Sequence, residues 1–205
     1  YLLDKGYPAE EISLCGESAG GGLCYSLCMY LRQRGTPLPG SIIAISPWAD
    51  LTGSGESNEA NREKDVSLSN EQLDFFARCY TDTPAEPLVS PLFGDLAGMP
   101  PSLLFAGGDE ILRSDAQRLH DKLRKQGSSS QLVIRRERWH AYVLYCLQED
   151  REDMASINAF LSKHLSQERK LRWMRLDNAA KIYPAARRQS WSNVFRLSVT
   201  LREPV

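Results

Sequence analysis

Short apolar runs alternate with amphipathic segments along the first 165 residues. The runs that have the length and composition of strands lie at residues 12–15, 41–46, 102–106 and 131–135. Between and after them, apolar residues at steps of three and four predict helices over residues 23–34, 112–123 and 153–165. The second run is nearly all apolar, as expected for a parallel strand that is buried on both faces. This alternation predicts an α/β fold with three layers and a parallel sheet.

Residues 50–90 differ from this pattern because they are rich in Ser, Glu, Asn, Asp and Pro. One amphipathic helix is predicted within them, over residues 69–80, with Ser69 and Gln72 forming a capping box at its start. A connection of this length is more than a crossover between two strands requires. We interpret it as part of a cap over the edge of the sheet.

The pattern of apolar and polar residues changes again after residue 165. Residues 166–193 are charged or loop-like, and residues 194–201 alternate apolar and polar positions as a half-buried strand does. The pattern therefore predicts one α/β domain over residues 1–165, followed by a linker and the beginning of a second, truncated domain over residues 166–205.

Composition narrows the possible partners. The net charge is −1, which gives no reason to expect a nucleic acid or an anionic membrane, and no apolar run approaches the roughly 20 residues of a membrane span.

The five cysteines are odd in number and form no CxxC pair, which favours free thiols in a reduced, cytoplasmic setting over disulfides or a metal site. Because the chain starts at Tyr1, the lack of a signal peptide says little.

The segment Gly16-Glu17-Ser18-Ala19-Gly20 follows the first predicted strand and precedes a predicted helix. A GxSxG motif in this context places a nucleophilic serine on a sharp turn, where flanking side chains would clash and glycines are therefore needed. The backbone N–H of Ala19 is then the expected first donor to an oxyanion, although the bare motif also occurs by chance.

A serine nucleophile needs a base and an acid that orients the base. Asp109 directly follows the third strand, where active-site residues of open α/β sheets gather, although it could instead cap the next helix. Glu110 and Asp115 are its rivals, but Asp115 falls inside that helix and Glu110 is expected to point away from its neighbour Asp109.

The chain has three histidines. His120 and His164 lie on predicted helices, where the former is interpreted as solvent-facing and the latter as packing or surface. His140 lies in the loop after the fourth strand, which makes it the expected base.

Several motifs occur together in order: GESAGGG (16–22), ISPWAD (45–50), SPL (90–92), GGDEIL (107–112) and WHAY (139–142). In this the chain resembles the hormone-sensitive-lipase-like branch of α/β-hydrolase carboxylesterases, with only the C-terminal half of that fold's sheet. The resemblance implies hydrolysis of short- to medium-chain acyl esters, small-molecule substrates, no cofactor and no metal. It also implies that Ser18 is the nucleophile, His140 the general base and Asp109 the acid.

Three further residues are candidates for the substrate pocket: Glu17, Trp48 and Tyr142. Trp48 could equally be a core tryptophan, and Asp50 is expected to order the first turn of the cap rather than to take part in chemistry. A homodimer is also possible.

The chain departs from this branch in one respect. Members carry an HGGG-type stretch upstream of the nucleophile that supplies further oxyanion donors, and no such stretch occurs in these 205 residues. Since one such donor contributes about 10²–10³ in rate, we expect the chain by itself to be weak or inactive.

Two other functions compete with ester hydrolysis: acyl transfer to an alcohol, and a non-catalytic scaffold. Residues 173–184 and 193–196 resemble the opening of bacterial alcohol-acetyltransferase-like proteins of the condensation-domain type. The paired histidines of those proteins do not occur here, so this tail cannot itself be catalytic.

Overall fold

The computed structural model of the protein describes residues 1–164. The predicted strand at residues 194–201, the second domain and the tail's resemblance to acetyltransferase-like proteins all lie outside the described residues.

Four parallel strands form one sheet in the order β1-β2-β3-β4. They are β1 Ser13–Glu17, β2 Ser41–Ile45, β3 Ser102–Gly107 and β4 Ser130–Arg135. All five residues of β2 are buried, as its apolar sequence predicted, and all six residues of β3 are buried as well. The prediction of a parallel sheet is confirmed.

Five helices accompany the strands: α1 Ala19–Gln33, α2 Ser57–Ala60, α3 Asn70–Tyr80, α4 Arg113–Lys125 and α5 Arg151–His164. Helix α1 begins four residues before its predicted start, directly after Ser18. Helix α2 was not predicted, because four residues are too few to show a helical period.

Side chains of the central strands alternate between two apolar clusters, because successive residues of a strand point to opposite faces. Ile42, Ala44 and Leu104 pack in one cluster with residues of α1 and α4. Ile43 and Phe105 pack in the other, which includes residues of α5. The sheet therefore lies between two helical layers, as the sequence predicted.

The segment over residues 50–90 packs at the carboxyl end of the sheet. A third apolar cluster joins α3 to residues that follow β2 and β3, among them Trp48 and Ile111. The capping box of α3 is confirmed, since Ser69 accepts a hydrogen bond from the Gln72 N–H and Gln72 accepts one from the Ser69 N–H. None of the helices in the described part of the chain is long and apolar enough to cross a membrane.

Candidate active site

The turn between β1 and α1 holds Ser18 in a backbone conformation that side chains rarely adopt. Its φ is 53° and its ψ is −122°. The turn is fixed against the end of β2, because the Ser18 N–H donates to Ile45 O at 2.9 Å and the Trp48 N–H donates to Ser18 O at 2.9 Å. Backbone strain of this kind persists only where surrounding contacts enforce it, and it is concentrated at functional sites.

Glycines around this turn make room for close backbone contacts. A Cβ on Gly16 would lie 2.1 Å from Gly20 O, and one on Gly22 would lie 2.1 Å from Trp48 O. A Cβ on Gly20 would meet nothing within 4 Å. The predicted need for glycine on steric grounds is therefore met at Gly16 but not at Gly20.

Helix α1 starts at Ala19, so the Ala19 N–H has no acceptor within the helix. Ala19 is exposed beside Ser18, at the positive end of the helix dipole. A substrate oxygen that gains negative charge near Ser18 would find a backbone donor there.

His140 lies in the loop after β4 and is 8% exposed. The next residue, Ala141, donates its N–H to Ser46 Oγ at 2.9 Å, which ties this loop to the carboxyl end of β2. Ser18 is tied to the same end of β2. Residues distant along the chain thus share one rim of the sheet.

Two ion pairs hold the His140 loop to the region of α5. Arg135 forms a bidentate ion pair with Asp153, with nitrogen–oxygen distances of 2.8 and 2.7 Å. Arg138 contacts Asp150 at 2.9 Å. Both carboxylates are almost wholly buried, so water screens these pairs less than it screens surface pairs.

The carboxylate beside His140 belongs to Glu110. Its Oε2 lies 3.2 Å from His140 Nδ1, and the Glu110 side chain is fully buried. The two groups are not aligned for a straight hydrogen bond, as is common for catalytic pairs without substrate. Glu110, which the sequence analysis ranked below Asp109, is thus the carboxyl that the structure brings to the histidine.

Asp109 occupies a different environment. It is only partly buried, its N–H donates to Arg138 O at 3.0 Å, and its carboxylate makes no hydrogen bond or ion pair with any residue in the 1–164 range. Asp115 is also remote from this role, because its Oδ2 accepts the N–H groups of Ala49 and Asp50. The structure brings Glu110 to the histidine, and it does not bring Asp109 there.

Burial is the largest influence on Glu110, and it raises the pKa of the carboxyl above its ordinary value. The side chains of His140 and Ser46 oppose this rise, and the charge of Asp65 adds to it. Neighbouring donors therefore favour the ionised form of Glu110, which burial disfavours.

The structure places the three predicted pocket residues in different environments. Glu17 is exposed at the end of β1. Trp48 packs in the apolar cluster beneath α3 and borders a cavity of about 270 Å³ between α3 and residues 51–59. Tyr142 is fully buried in the core, and its hydroxyl donates to Asp153 at 2.9 Å, so the prediction that it lines a pocket is corrected.

Histidines 120 and 164 stand apart from this rim. His120 is partly buried and bonds to Ser130 Oγ at 2.9 Å rather than facing solvent, and His164 packs against the Phe160 ring. In the described part of the chain, no group of three or more His, Cys, Asp or Glu side chains is arranged to hold a metal ion.

Sequence reasoning preferred Asp109 to Glu110 as the partner of the histidine and did not single out Ser46. A signal existed for each. Glu110 precedes the apolar pair Ile111-Leu112, which favours burial, and Ser46 is a polar residue that ends an apolar strand beside a proline.

Comparisons with known proteins agree with this architecture. A family model described as alpha/beta hydrolase fold matches residues 3–144. An acetyl-hydrolase of Streptomyces hygroscopicus is 38% identical over 165 residues, which cover 78% of this chain and 55% of that protein. An esterase of Acinetobacter venetianus is 33% identical over 164 residues, 78% of this chain and 54% of the relative.

Solved structures give the same picture. An esterase from the bacterial hormone-sensitive lipase family superposes with a TM-score of 0.78 at 36% identity, covering 80% of this chain and 57% of that one. A hormone-sensitive lipase from a metagenome library gives a TM-score of 0.77 at 29% identity, with the same coverage of both chains. The chain spans a little over half the length of these relatives.

Proposed function

The chain belongs to the α/β-hydrolase fold family, in its hormone-sensitive-lipase-like branch, and we propose that it hydrolyses carboxylic esters of small acyl groups through Ser18, His140 and Glu110. One observation carries the proposal: the buried Glu110 lies 3.2 Å from His140, in a loop bound to the strand end that also holds the Ser18 turn. A histidine that contacts a buried carboxylate, at the same rim of the sheet as a serine in a strained turn, supports ester hydrolysis by a serine nucleophile.

In the proposed reaction, His140 Nε2 takes the proton of the Ser18 hydroxyl as the serine oxygen adds to the ester carbonyl carbon. The carbonyl oxygen becomes an oxyanion that the Ala19 N–H stabilises. Glu110 accepts the Nδ1–H of His140 and stabilises the imidazolium. His140 then returns the proton to the departing alcohol, which leaves an acyl group on Ser18.

Water repeats the same steps on this acyl group and releases the carboxylic acid. The names of the relatives, acetyl-hydrolase and esterase, support water rather than an alcohol as the acceptor and a short acyl group as the substrate part. In this proposal the exposed face of the site, with Glu17 and Ala19 at its rim, admits a small-molecule ester.

The role of Ser18 can be tested by labelling the 205-residue chain with a fluorophosphonate, which reacts with activated serines. We expect the label on the peptide that contains Ser18, none in Ser18→Ala, and wild-type labelling in Ser67→Ala, an exposed serine elsewhere on the chain. Equal labelling of wild type and Ser18→Ala would refute the proposal.

The role of Glu110 can be tested against its neighbour. Because Glu110 holds the ring of His140, we expect Glu110→Gln to slow Ser18 labelling about 10²–10⁴-fold, whereas Asp109→Asn should change it only slightly. Both variants remove one charge without changing side-chain size. The opposite pattern would return the acid role to Asp109.

A further inference from the structure

We propose that Ser46 is a positioning residue, which holds the Glu110 carboxylate and the His140 loop in register through its single hydroxyl group. The inference rests on the proposed function, because it concerns the acid and base named there. It adds the residue that follows β2 to a site built from the ends of β1, β3 and β4.

The backbone of Ser46 is fixed in an unusual conformation. Ser46 directly follows β2, is fully buried, and has a φ of 47°. Its N–H donates to Phe105 O of β3 at 2.8 Å, and Pro47 follows it. A positive φ raises the backbone energy of a serine. Such conformations persist where surrounding contacts enforce them, and they are concentrated at functional sites.

The Ser46 hydroxyl already accepts the Ala141 N–H at 2.9 Å. A hydroxyl can accept and donate at once, so its own hydrogen remains available. The Glu110 carboxyl is within its reach, and the Ser46 side chain acts on that carboxyl as a hydrogen-bond donor. Both Glu110 oxygens are buried, and within residues 1–164 no donor is well aligned with either of them. An available donor and an unsatisfied acceptor thus lie side by side.

The groups that face Glu110 come from three elements. His140 approaches from the loop after β4, Ser46 from the end of β2, and the Asp65 carboxylate from the segment between α2 and α3. Asp65 repels a negative charge on Glu110, while its Oδ2 accepts the Ile111 N–H. His140 faces Glu110 through Nδ1, and Ser46 supplies a second donor that favours the charged form of the carboxyl.

A direct test follows the ionisation of Glu110 itself, by ¹³C NMR of carboxyl-labelled glutamate in the 205-residue chain, with Glu110→Gln to assign the signal. Removing the donor in Ser46→Ala should raise the titration midpoint of Glu110 by about one pH unit or more. Ser46→Gly should do the same, and it tolerates the positive φ if the alanine variant folds poorly.

Ser41→Ala is the matched control, because Ser41 is also fully buried on β2 but lies at its opposite end. It should leave the Glu110 midpoint unchanged. A midpoint that moves in neither Ser46 variant, or moves equally in Ser41→Ala, would overturn the proposal. This titration needs no activity, so it can be read even if Ser18 proves unreactive and the proposed function fails.

A second readout asks whether Ser46 acts through Glu110. Ser46→Ala should slow Ser18 labelling by about 10-fold in the wild-type chain and should slow it little further in Glu110→Gln, because the carboxylate is already lost. The acidic limb of the labelling rate should also move to higher pH in Ser46→Ala. Multiplying effects in the double variant, with an unmoved pH profile, would indicate a merely structural serine and contradict the inference.

Discussion

Another buried carboxylate, Asp115, anchors the chain that leaves β2. Its Oδ2 accepts the N–H groups of Ala49 and Asp50, each at 2.9 Å. Burial, with the nearby charge of Asp50, raises the pKa of Asp115 to about 7, although Arg118 opposes the rise. The loop that carries Trp48 thus depends on an acid that titrates near neutrality.

This pKa has a consequence for stability. Because Asp115 has a higher pKa in the folded chain than in the unfolded chain, the folded state binds the proton more tightly between about pH 4 and about pH 7. The free energy of unfolding therefore falls as pH rises through that window. Asn keeps the acceptor without the charge, so we expect Asp115→Asn to gain at least about 1 kcal/mol relative to wild type between about pH 5 and about pH 8.

Urea unfolding at the two pH values measures this gain. Asp115→Ala provides the contrast, since it removes the acceptor as well and should cost about 1–3 kcal/mol at either pH. A constant difference between Asp115→Asn and wild type at both pH values would show that the carboxyl does not titrate in this range.

Single residues also mark where sequence reasoning succeeded and failed. The position of Ser18 and His140 follows from their place after predicted strands, because parallel strands bring their carboxyl ends to one rim. The choice between Asp109 and Glu110 does not follow, since adjacent residues point different ways and the turn after Gly107 decides which one faces the histidine. The Ser46 hydroxyl was equally invisible, because its role comes from contacts with residues 95 positions away.

At the scale of elements, the turn from β1 to α1 depends on glycines for close packing. We expect Gly22→Ala to lower the free energy of unfolding by about 1–3 kcal/mol, because the added Cβ would meet Trp48 O. Gly20→Ala has open space and should instead stabilise the chain by roughly 0.5–1 kcal/mol. Denaturant unfolding of the pair measures both, and equal destabilisation would show that the turn is not tightly packed.

Periodicity predicted the strands within about two residues and the longer helices with small errors at their ends. The start of α1 was missed because Ala19-Gly20-Gly21-Gly22 has no apolar period, and the helix there is imposed by the turn and by contacts with residues after β2. Local patterns therefore specify elements that bury an apolar face, but not those that tertiary contacts enforce.

At the scale of the whole molecule, the described sheet has four strands and the chain spans a little over half the length of its relatives. The GxSxG motif supplies one expected oxyanion donor, the Ala19 N–H. The HGGG stretch that would supply further donors does not occur in these 205 residues. We therefore expect Ser18-dependent hydrolysis of p-nitrophenyl acetate by this chain at a rate roughly 10²–10³ below that of the Acinetobacter venetianus esterase. Equal rates would show that other groups complete the oxyanion site.

The ion pairs of Arg135 and Arg138 bear on where a boundary for this domain can be drawn. The family match stops at residue 144, and a chain trimmed there would retain Ser18, His140 and Glu110, the proposed nucleophile, base and acid. It would lack Asp150 and Asp153, whose carboxylates form the ion pairs that hold the His140 loop. A truncation guided by similarity alone would thus keep the three proposed catalytic side chains. It would still remove the ion pairs that fix the orientation of the His140 imidazole.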